Sequence, residues 1–89
     1  MITEEQAITI ALQYIKEKKR KYDYLCDPII LEKTITRGKY KDSKRNVIVI
    51  PYEIEGYRDP ISFFITIDKE TGQVLYTRSE HGYVEDLEG

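Results

Sequence analysis

The chain has 89 residues, of which 40% are hydrophobic and 34% charged, and its formal net charge is −2. This composition is typical of one small globular domain spanning residues 1–89 and excludes a disordered or fibrous chain. The longest aliphatic run, Val47 to Ile50, is too short to cross a bilayer. A single cysteine and an acidic start in place of a leader predict a cytoplasmic protein without membrane association.

The N-terminal helix is the best-marked element, and we predict it at about residues 4–21. Thr3 and Gln6 have capping-box spacing, and the basic residues 18–21 compensate the negative end of the helix dipole. Asp27-Pro28 prevents further helix. The predicted apolar stripe contains Ile8, Ala11, Leu12, Ile15 and Tyr22.

Four strands are predicted to follow. They are Ile29–Thr36, Val47–Glu55, residues 61–67 and Val74–Arg78, with a polar loop at Arg37–Asn46, a turn at Gly56–Pro60 and an acidic tail at Ser79–Gly89. In the first strand Ile29, Leu31 and Ile35 share one face. Pro51 cannot donate to a ladder, which predicts an edge position or a bulge in the second strand.

The segment from Phe63 to Tyr76 predicts a β-hairpin. Asp68 can accept bonds from backbone N–H groups within the turn, and Gly72 can take the positive φ that closes it. One amphipathic helix covers only one face of a sheet. We therefore predict a two-layer α+β domain, with the helix packed on one face of a four-stranded antiparallel sheet.

The inventory of chemically active residues is small. With one histidine, His81, and one cysteine, Cys26, no ordinary zinc site can be assembled, and no calcium-loop, Gly-rich phosphate or G-x-S-x-G motif is present. A Cys26–His81 pair would be a chance meeting, and Cys26 fits a small, partly buried hydrophobe better. We predict no metal, no cofactor and no catalytic residues.

Charge and tyrosines point instead to protein binding. Residues 1–45 carry 11 Lys and Arg against 7 Asp and Glu, whereas residues 46–89 carry 3 against 9. Tyrosines among carboxylates suit a basic partner surface. The predicted partner-binding set is Glu53, Glu55, Tyr57, Asp59, Glu80, Tyr83 and Glu85. Glu53 and Glu55 also leave open a small enzyme that uses surface carboxylates.

Nucleic acid is not favoured as a partner. The basic run at residues 16–21 is explained by the helix dipole and a solvated face, and the overall balance is acidic. The loop from Lys39 to Arg45 is the better candidate for such binding, although it lacks a set of aromatic residues. An exposed edge at the Pro51 strand leaves a homodimer open.

Two stretches carry a resemblance to known bacterial families. Residues 1–7, Met-Ile-Thr-Glu-Glu-Gln-Ala, followed by Ile10-Ala11-Leu12, combine with Ile-Asp-Lys-Glu-Thr-Gly-Gln-Val at 67–74. Together they resemble the PepSY domain, a helix-plus-sheet module linked to peptidase inhibition or regulation. They also look like the YrhB-like family of small immunity proteins, which neutralise cognate toxins by binding them. Neither family supplies catalytic residues to carry over.

The resemblance implies a non-enzymatic binding protein. A cytoplasmic immunity protein that blocks a partner toxin is the expectation that best suits a chain without a leader. A PepSY-like inhibitor or regulator of a peptidase is the alternative.

Overall fold

The computed structural model describes residues 1–35, 41–56 and 58–80, together with the backbone of residues 84–85. The helix α1 comprises Glu4–Glu17, and the strands are β1 Tyr24–Leu25, β2 Ile29–Thr34, β3 Lys44–Ile54, β4 Ile61–Asp68, β5 Val74–Ser79 and β6 Val84–Glu85. The predicted α+β fold, one helix on one face of an antiparallel sheet, is confirmed. Across the described residues, no helix has the length and apolar character needed to span a membrane.

The strand order is β1-β3-β4-β5-β6, and β2 also pairs with β3. β1 and β2 occupy successive parts of the same edge of β3, with Tyr24 opposite Glu53 and Ile29 opposite Val49. The predicted strands correspond to β2, β3, β4 and β5. β1 and β6 have two residues each, which is too short to produce an alternating pattern. Of the predicted acidic tail, the structure describes residues 79–80 and the backbone of residues 84–85, where Val84 lies opposite Arg78 of β5.

The helix packs on β3 and β5. Its buried side chains are Ala7, Ala11, Tyr14 and Ile15. Tyr14 is buried although it was absent from the predicted stripe. Its hydroxyl accepts a 3.0 Å hydrogen bond from the Thr77 hydroxyl of β5, so the buried polar group is satisfied. This bond ties the helix to the sheet inside the core.

Two members of the predicted stripe are wrong. Leu12 is 37% exposed, because the buried side of α1 follows Ala7 and Ala11 and lies to one side of Leu12. Tyr22 is 42% exposed and lies beyond the end of α1. Ile8 packs at the margin of the core, and Ala11 and Ile15 are buried as predicted.

The predicted end of the helix, at residue 21, is also wrong. Lys18 is the C-cap, and Lys19 adopts the left-handed conformation with φ 54°. The Arg20 N–H then donates to the Ile15 carbonyl, and the Lys19 N–H to the Lys16 carbonyl. This is the Schellman pattern, with lysine where glycine is usual. A basic run is compatible with continued helix, so the sequence pattern did not reveal this stop.

The sheet is apolar on both faces. The face that carries α1 is called here the helix face. On it, β3 and β4 contribute buried residues at every second position of each strand: Ile48, Ile50, Tyr52, Ile65 and Ile67. The opposite, helix-free face has its own cluster: Ile35, Val47, Val49, Leu75 and Tyr76. As predicted, Ile29, Leu31 and Ile35 share this second face. Ile29, at the sheet edge, is 47% exposed.

Pro51 lies within a strand that has neighbours on both sides, so the prediction of an edge position is wrong. Its carbonyl accepts from the Cys26 N–H at 2.8 Å, which shows that its missing N–H faces β1 and β2. At that point residues 26–28 lie opposite only residues 50–51. The irregularity therefore lies in the segment between β1 and β2, which needs no hydrogen bond from Pro51.

The predicted hairpin is confirmed in its strands and its turn. Gly72 has φ 78°, and its N–H donates to the Asp68 carbonyl at 2.8 Å. The Asp68 carboxylate is fully buried and accepts from the Thr71 hydroxyl and the Glu70 N–H. Arg45 of β3 adds a 2.6 Å ion pair. Asp68 thus joins the turn to the neighbouring strand.

Burial alone would raise the pKa of Asp68. The hydrogen bonds from Arg45, Thr71 and the Glu70 N–H, with the charge of Arg45, outweigh it and lower that pKa below its usual value. The folded protein therefore binds this proton less readily than the unfolded chain does. The resulting stabilisation is present above the unfolded pKa and is lost as pH falls through the lower, folded value.

We predict that Lys19→Gly stabilises the protein by roughly 1 kcal/mol, because glycine removes the Cβ strain of the left-handed conformation. Lys18→Gly is the matched control. Lys18 has ordinary right-handed angles, so glycine there should destabilise by about 0.5 kcal/mol. Urea unfolding monitored by circular dichroism measures both changes. Equal effects of the two substitutions would contradict the assigned helix end.

We predict that Asp68→Asn lowers the free energy of unfolding at pH 7 by roughly 2–4 kcal/mol, because it leaves the Arg45 guanidinium without its buried carboxylate. Glu70→Gln removes only the half-exposed second carboxylate beside Arg45 and should cost less than about 1 kcal/mol. Urea unfolding at pH 7 and pH 3 should also show a weaker acid destabilisation in Asp68→Asn than in the wild type. An unchanged pH dependence would contradict the lowered pKa of Asp68.

Candidate functional site

An acid-lined groove lies at one end of the sheet, where β3 ends and β1 runs beside it. Its volume is about 350 Å³, and it is lined by Asp23, Tyr24, Glu53, Ile54, Glu55 and Pro60. We call it the acidic groove. Its carboxylates are half-buried or exposed, and Tyr24 is 62% exposed. The groove therefore offers negative charge and one aromatic surface to whatever approaches this end of the molecule.

Backbone pairing fixes the wall of the groove. The Asp23 N–H donates to the Glu53 carbonyl at 2.9 Å, and the Asp23 carboxylate accepts from the Glu55 N–H at 2.7 Å. This second bond satisfies the backbone just beyond the end of β3. It also places the Asp23 carboxylate next to the backbone of Glu55. Glu53 and Glu55 share strand parity, so both carboxylates lie on the same side of the chain.

The turn before β4 is tight. A Cβ on Gly56 would clash with the Asp59 carbonyl, so glycine is needed for this close approach. Asp59 itself is exposed in that turn, next to Pro60 of the groove lining. The predicted residue Asp59 is therefore brought to the same end of the sheet as Glu53 and Glu55.

Glu80 lies at this end too, on the far side of β4. Its N–H donates to the Ser62 carbonyl, and its carboxylate accepts from the Ser62 N–H at 3.3 Å. Since Ser62 is also the register partner of Glu53, the three residues form one row across the helix-free face. Two strand spacings, or about 10 Å, separate Glu53 and Glu80. Glu80 lines a different recess, with Lys33, Phe64 and Arg78.

The opposite end of the sheet is basic. β3 begins with Lys44 and Arg45 and finishes beside Glu53 and Glu55, so its charge reverses along its length. An eleven-residue strand spans roughly 33 Å, which exceeds the Debye length of about 8 Å at physiological salt. A partner near the acidic groove therefore experiences little of the basic end.

The loop considered for nucleic acid falls partly outside the described residues, which include neither Lys39 nor Tyr40. Of its described residues, Arg45 is engaged by the carboxylates of Asp68 and Glu70. A guanidinium held in this way is a poor phosphate ligand, which weakens the nucleic-acid alternative further.

Cys26 is half-buried beside the acidic groove. Burial raises the pKa of its thiol, and the nearby charges of Glu53 and Asp27 raise it further. Such a thiol is a weak nucleophile at neutral pH. His81 lies outside the described residues. Within the described ranges, no group of three His, Cys, Asp or Glu side chains has a geometry suited to a metal ion.

A recess of about 480 Å³ between α1 and β5 is another possible binding site. It is lined by helix side chains of both signs, including Glu17 and Lys18, and by Gln73 of the hairpin. Mixed charge gives no preference for a partner. The acidic groove has one sign of charge and an exposed aromatic ring, so it is the stronger candidate.

The structure brings four of the predicted site residues to one end of the sheet: Glu53, Glu55, Asp59 and Glu80. Tyr57 and Tyr83 lie outside the described residues, and only the backbone of Glu85 is described. Their part in binding stays a prediction. Sequence reasoning missed Asp23 and Tyr24, since the only signal for them was an aromatic-acidic stretch just before Asp27-Pro28.

The family model described as "PepSY: Peptidase propeptide and YPEB domain" matches residues 52–78. This segment is PepSY-like. It runs from the end of β3 through the hairpin and most of β5, and it includes Glu53 and Glu55. The match covers less than a third of the chain. No curated protein and no solved structure matches the chain. The immunity-family resemblance therefore rests on the sequence motifs alone.

We predict that Cys26 reacts with iodoacetamide more slowly than free cysteine at pH 8, because burial and the acidic groove disfavour its thiolate. Glu53→Gln should accelerate the reaction by removing a neighbouring negative charge. Glu32→Gln, which removes a charge on the exposed β2 edge, is the control and should leave the rate unchanged. Mass spectrometry of the alkylated protein measures these rates. Equal rates in all three proteins would show that Glu53 does not influence the thiol.

Proposed function

We propose that this protein is a non-enzymatic module that binds a partner protein with a basic surface and blocks it. The acidic groove is the observation that carries the proposal. Its three carboxylates, Asp23, Glu53 and Glu55, belong to two chain segments that the sheet brings together. Exposed carboxylates of one sign attract a basic surface over a distance and accelerate its association.

Tyr24 supplies the contact area that charge alone lacks. A tyrosine ring offers a rigid apolar surface with one polar group, which is why tyrosine is enriched at interface hot spots. Ile54 and Pro60 provide an apolar floor beside it. We propose that a basic or amphipathic side chain of the partner enters here, and that the body of this protein then covers the partner's working surface.

A peptidase is the partner class we favour, because the PepSY-like segment 52–78 contributes most of the groove lining. In this proposal the module inhibits or regulates the peptidase, and it acts by occupying a surface. This order reverses the expectation drawn from the sequence, which placed the toxin first.

A toxin remains the second candidate, with the protein acting as a cytoplasmic immunity protein. The acidic groove favours it, because a toxin with a basic substrate-binding surface would be steered in the same way. Co-expression separates the two classes. Protection from a toxin encoded beside this gene supports immunity, whereas loss of proteolytic activity of a neighbouring peptidase supports regulation.

We predict that Glu53→Gln combined with Glu55→Gln slows association with the partner about tenfold at low ionic strength, because long-range steering is lost. Glu17→Gln combined with Glu32→Gln changes the net charge equally but lies away from the groove, and should change the rate less than about twofold. Surface plasmon resonance at 50 mM and 300 mM salt measures both rates. Equal slowing by the two double variants would assign the attraction to net charge and remove the groove from the proposal.

A further inference from the structure

The edge strand β2 has the properties of an unpaired interface. Of the large apolar side chains that are exposed among the described residues, four lie within residues 22–30: Tyr22, Tyr24, Ile29 and Ile30. Ile29 and Ile30 are each 47% exposed and lie on opposite faces of the sheet. Ile30 lies on the helix face but at its edge, whereas the helix packs mainly over β3 and β5.

The backbone of β2 is open on the same side. Val49 and the other odd-numbered residues of β3 direct their backbone N–H and carbonyl groups towards β2. Their register partners Ile29, Leu31 and Lys33 direct theirs towards β3. Ile30 and Glu32 therefore direct their N–H and carbonyl groups outwards. Within the described residues, β2 pairs only with β3. A regular strand with a free edge and half-exposed isoleucines is a template for another strand.

We propose that two copies of this chain pair antiparallel through β2, with the two-fold axis at Ile30, to form one continuous sheet. The proposal is independent of the groove and its partner. In this register Ile30 exchanges both of its backbone bonds with Ile30 of the second copy. Ile29 of each copy lies opposite Leu31 of the other, so apolar pairs form on both faces of the new sheet.

Charge selects this register over its neighbours. An axis at Glu32 would place two glutamates directly opposite each other, which is destabilising. An axis at Leu31 would place Ile30 opposite Glu32 and Ile29 opposite Lys33. The axis at Ile30 avoids both arrangements. Registers centred between residues are excluded, because they would place outward-facing groups against inward-facing ones.

The end of β2 also limits the contact. Pro28 has no N–H, and the irregular stretch at residues 26–28 interrupts the edge before β1. The regular part of the dimer edge therefore finishes before the acidic groove. Pairing through β2 leaves Asp23, Glu53 and Glu55 of each copy accessible.

Single-cysteine crosslinking in the full chain tests the register. In a Cys26→Ser background, Ile30→Cys places two sulfurs at the proposed axis, where opposed Cα atoms of a hydrogen-bonded pair are about 5.5 Å apart and within disulfide range. Leu31→Cys and Glu32→Cys report the neighbouring registers, and Lys16→Cys on the exposed helix surface reports random collision. Under mild oxidation, Ile30→Cys should form covalent dimers at least tenfold faster than the other three.

Sedimentation velocity over a range of concentrations provides the second measurement. The wild type should show a concentration-dependent dimer. Glu32→Pro removes one outward N–H, which β3 does not use, and should weaken the dimer at least tenfold relative to Glu32→Ala. A monomer at all concentrations up to about 1 mM, or faster crosslinking at position 31 or 32, would overturn the proposal. Crosslinking of Ile30→Cys no faster than that of Lys16→Cys would also overturn it.

Discussion

The buried carboxylate of Asp68 is the constraint on which the rest of the structure depends. It lies at the end of β4, where the chain must turn, and it binds the hydroxyl and backbone of that turn together with Arg45 of β3. A buried carboxylate without these partners would be strongly unfavourable. The register of β3 against β4 and the shape of the hairpin are therefore specified by the same group.

The N-terminus depends on the same turn. The Ile2 N–H donates to the Lys69 carbonyl at 2.8 Å, and the side chains of Ile2 and Ile10 approach the position of a Cβ on Gly72. The start of α1 therefore packs on the turn that Asp68 stabilises. Nearer the C-terminal end of the helix, the hydrogen bond between Tyr14 and Thr77 positions α1 against β5. The acidic groove is placed indirectly, because it lies where the strands aligned by this network end.

Much of the fold could be predicted from the residues because local patterns and tertiary structure agree. The alternation along β4 reports the burial of Ile65 and Ile67 on the helix face, with Phe63 partly buried beside them. The turn chemistry of Asp68 and Gly72 is local. Tyr14 could not be assigned to the core, because its burial depends on Thr77, which is 63 residues away. The helix end at Lys19 was missed because lysine gives no conformational signal. Pro51 was misplaced because its tolerance depends on the bulge in another strand.

Only part of the candidate site could be predicted, because its residues come together through contacts between distant parts of the chain. Glu53 and Glu55 could be found from strand parity, whereas Asp23 joins them through its bonds to the Glu53 carbonyl and the Glu55 N–H. β1 is too short to be recognised without the strand that it pairs with. Residues distant in sequence form the groove, so its composition follows from the sheet register and not from any single motif.

The bulge opposite Pro51 also divides the sheet edge into two parts of unequal stability. β1 is held to β3 by few backbone bonds, among them those from the Asp23 and Cys26 N–H groups, and Pro51 can add none. β2, by contrast, is paired along its whole length. Local opening should therefore begin at β1 and stop at Pro28, because the free energy of opening a segment follows the number of contacts it loses. The groove wall can then adapt its width to an incoming surface while the core sheet stays folded.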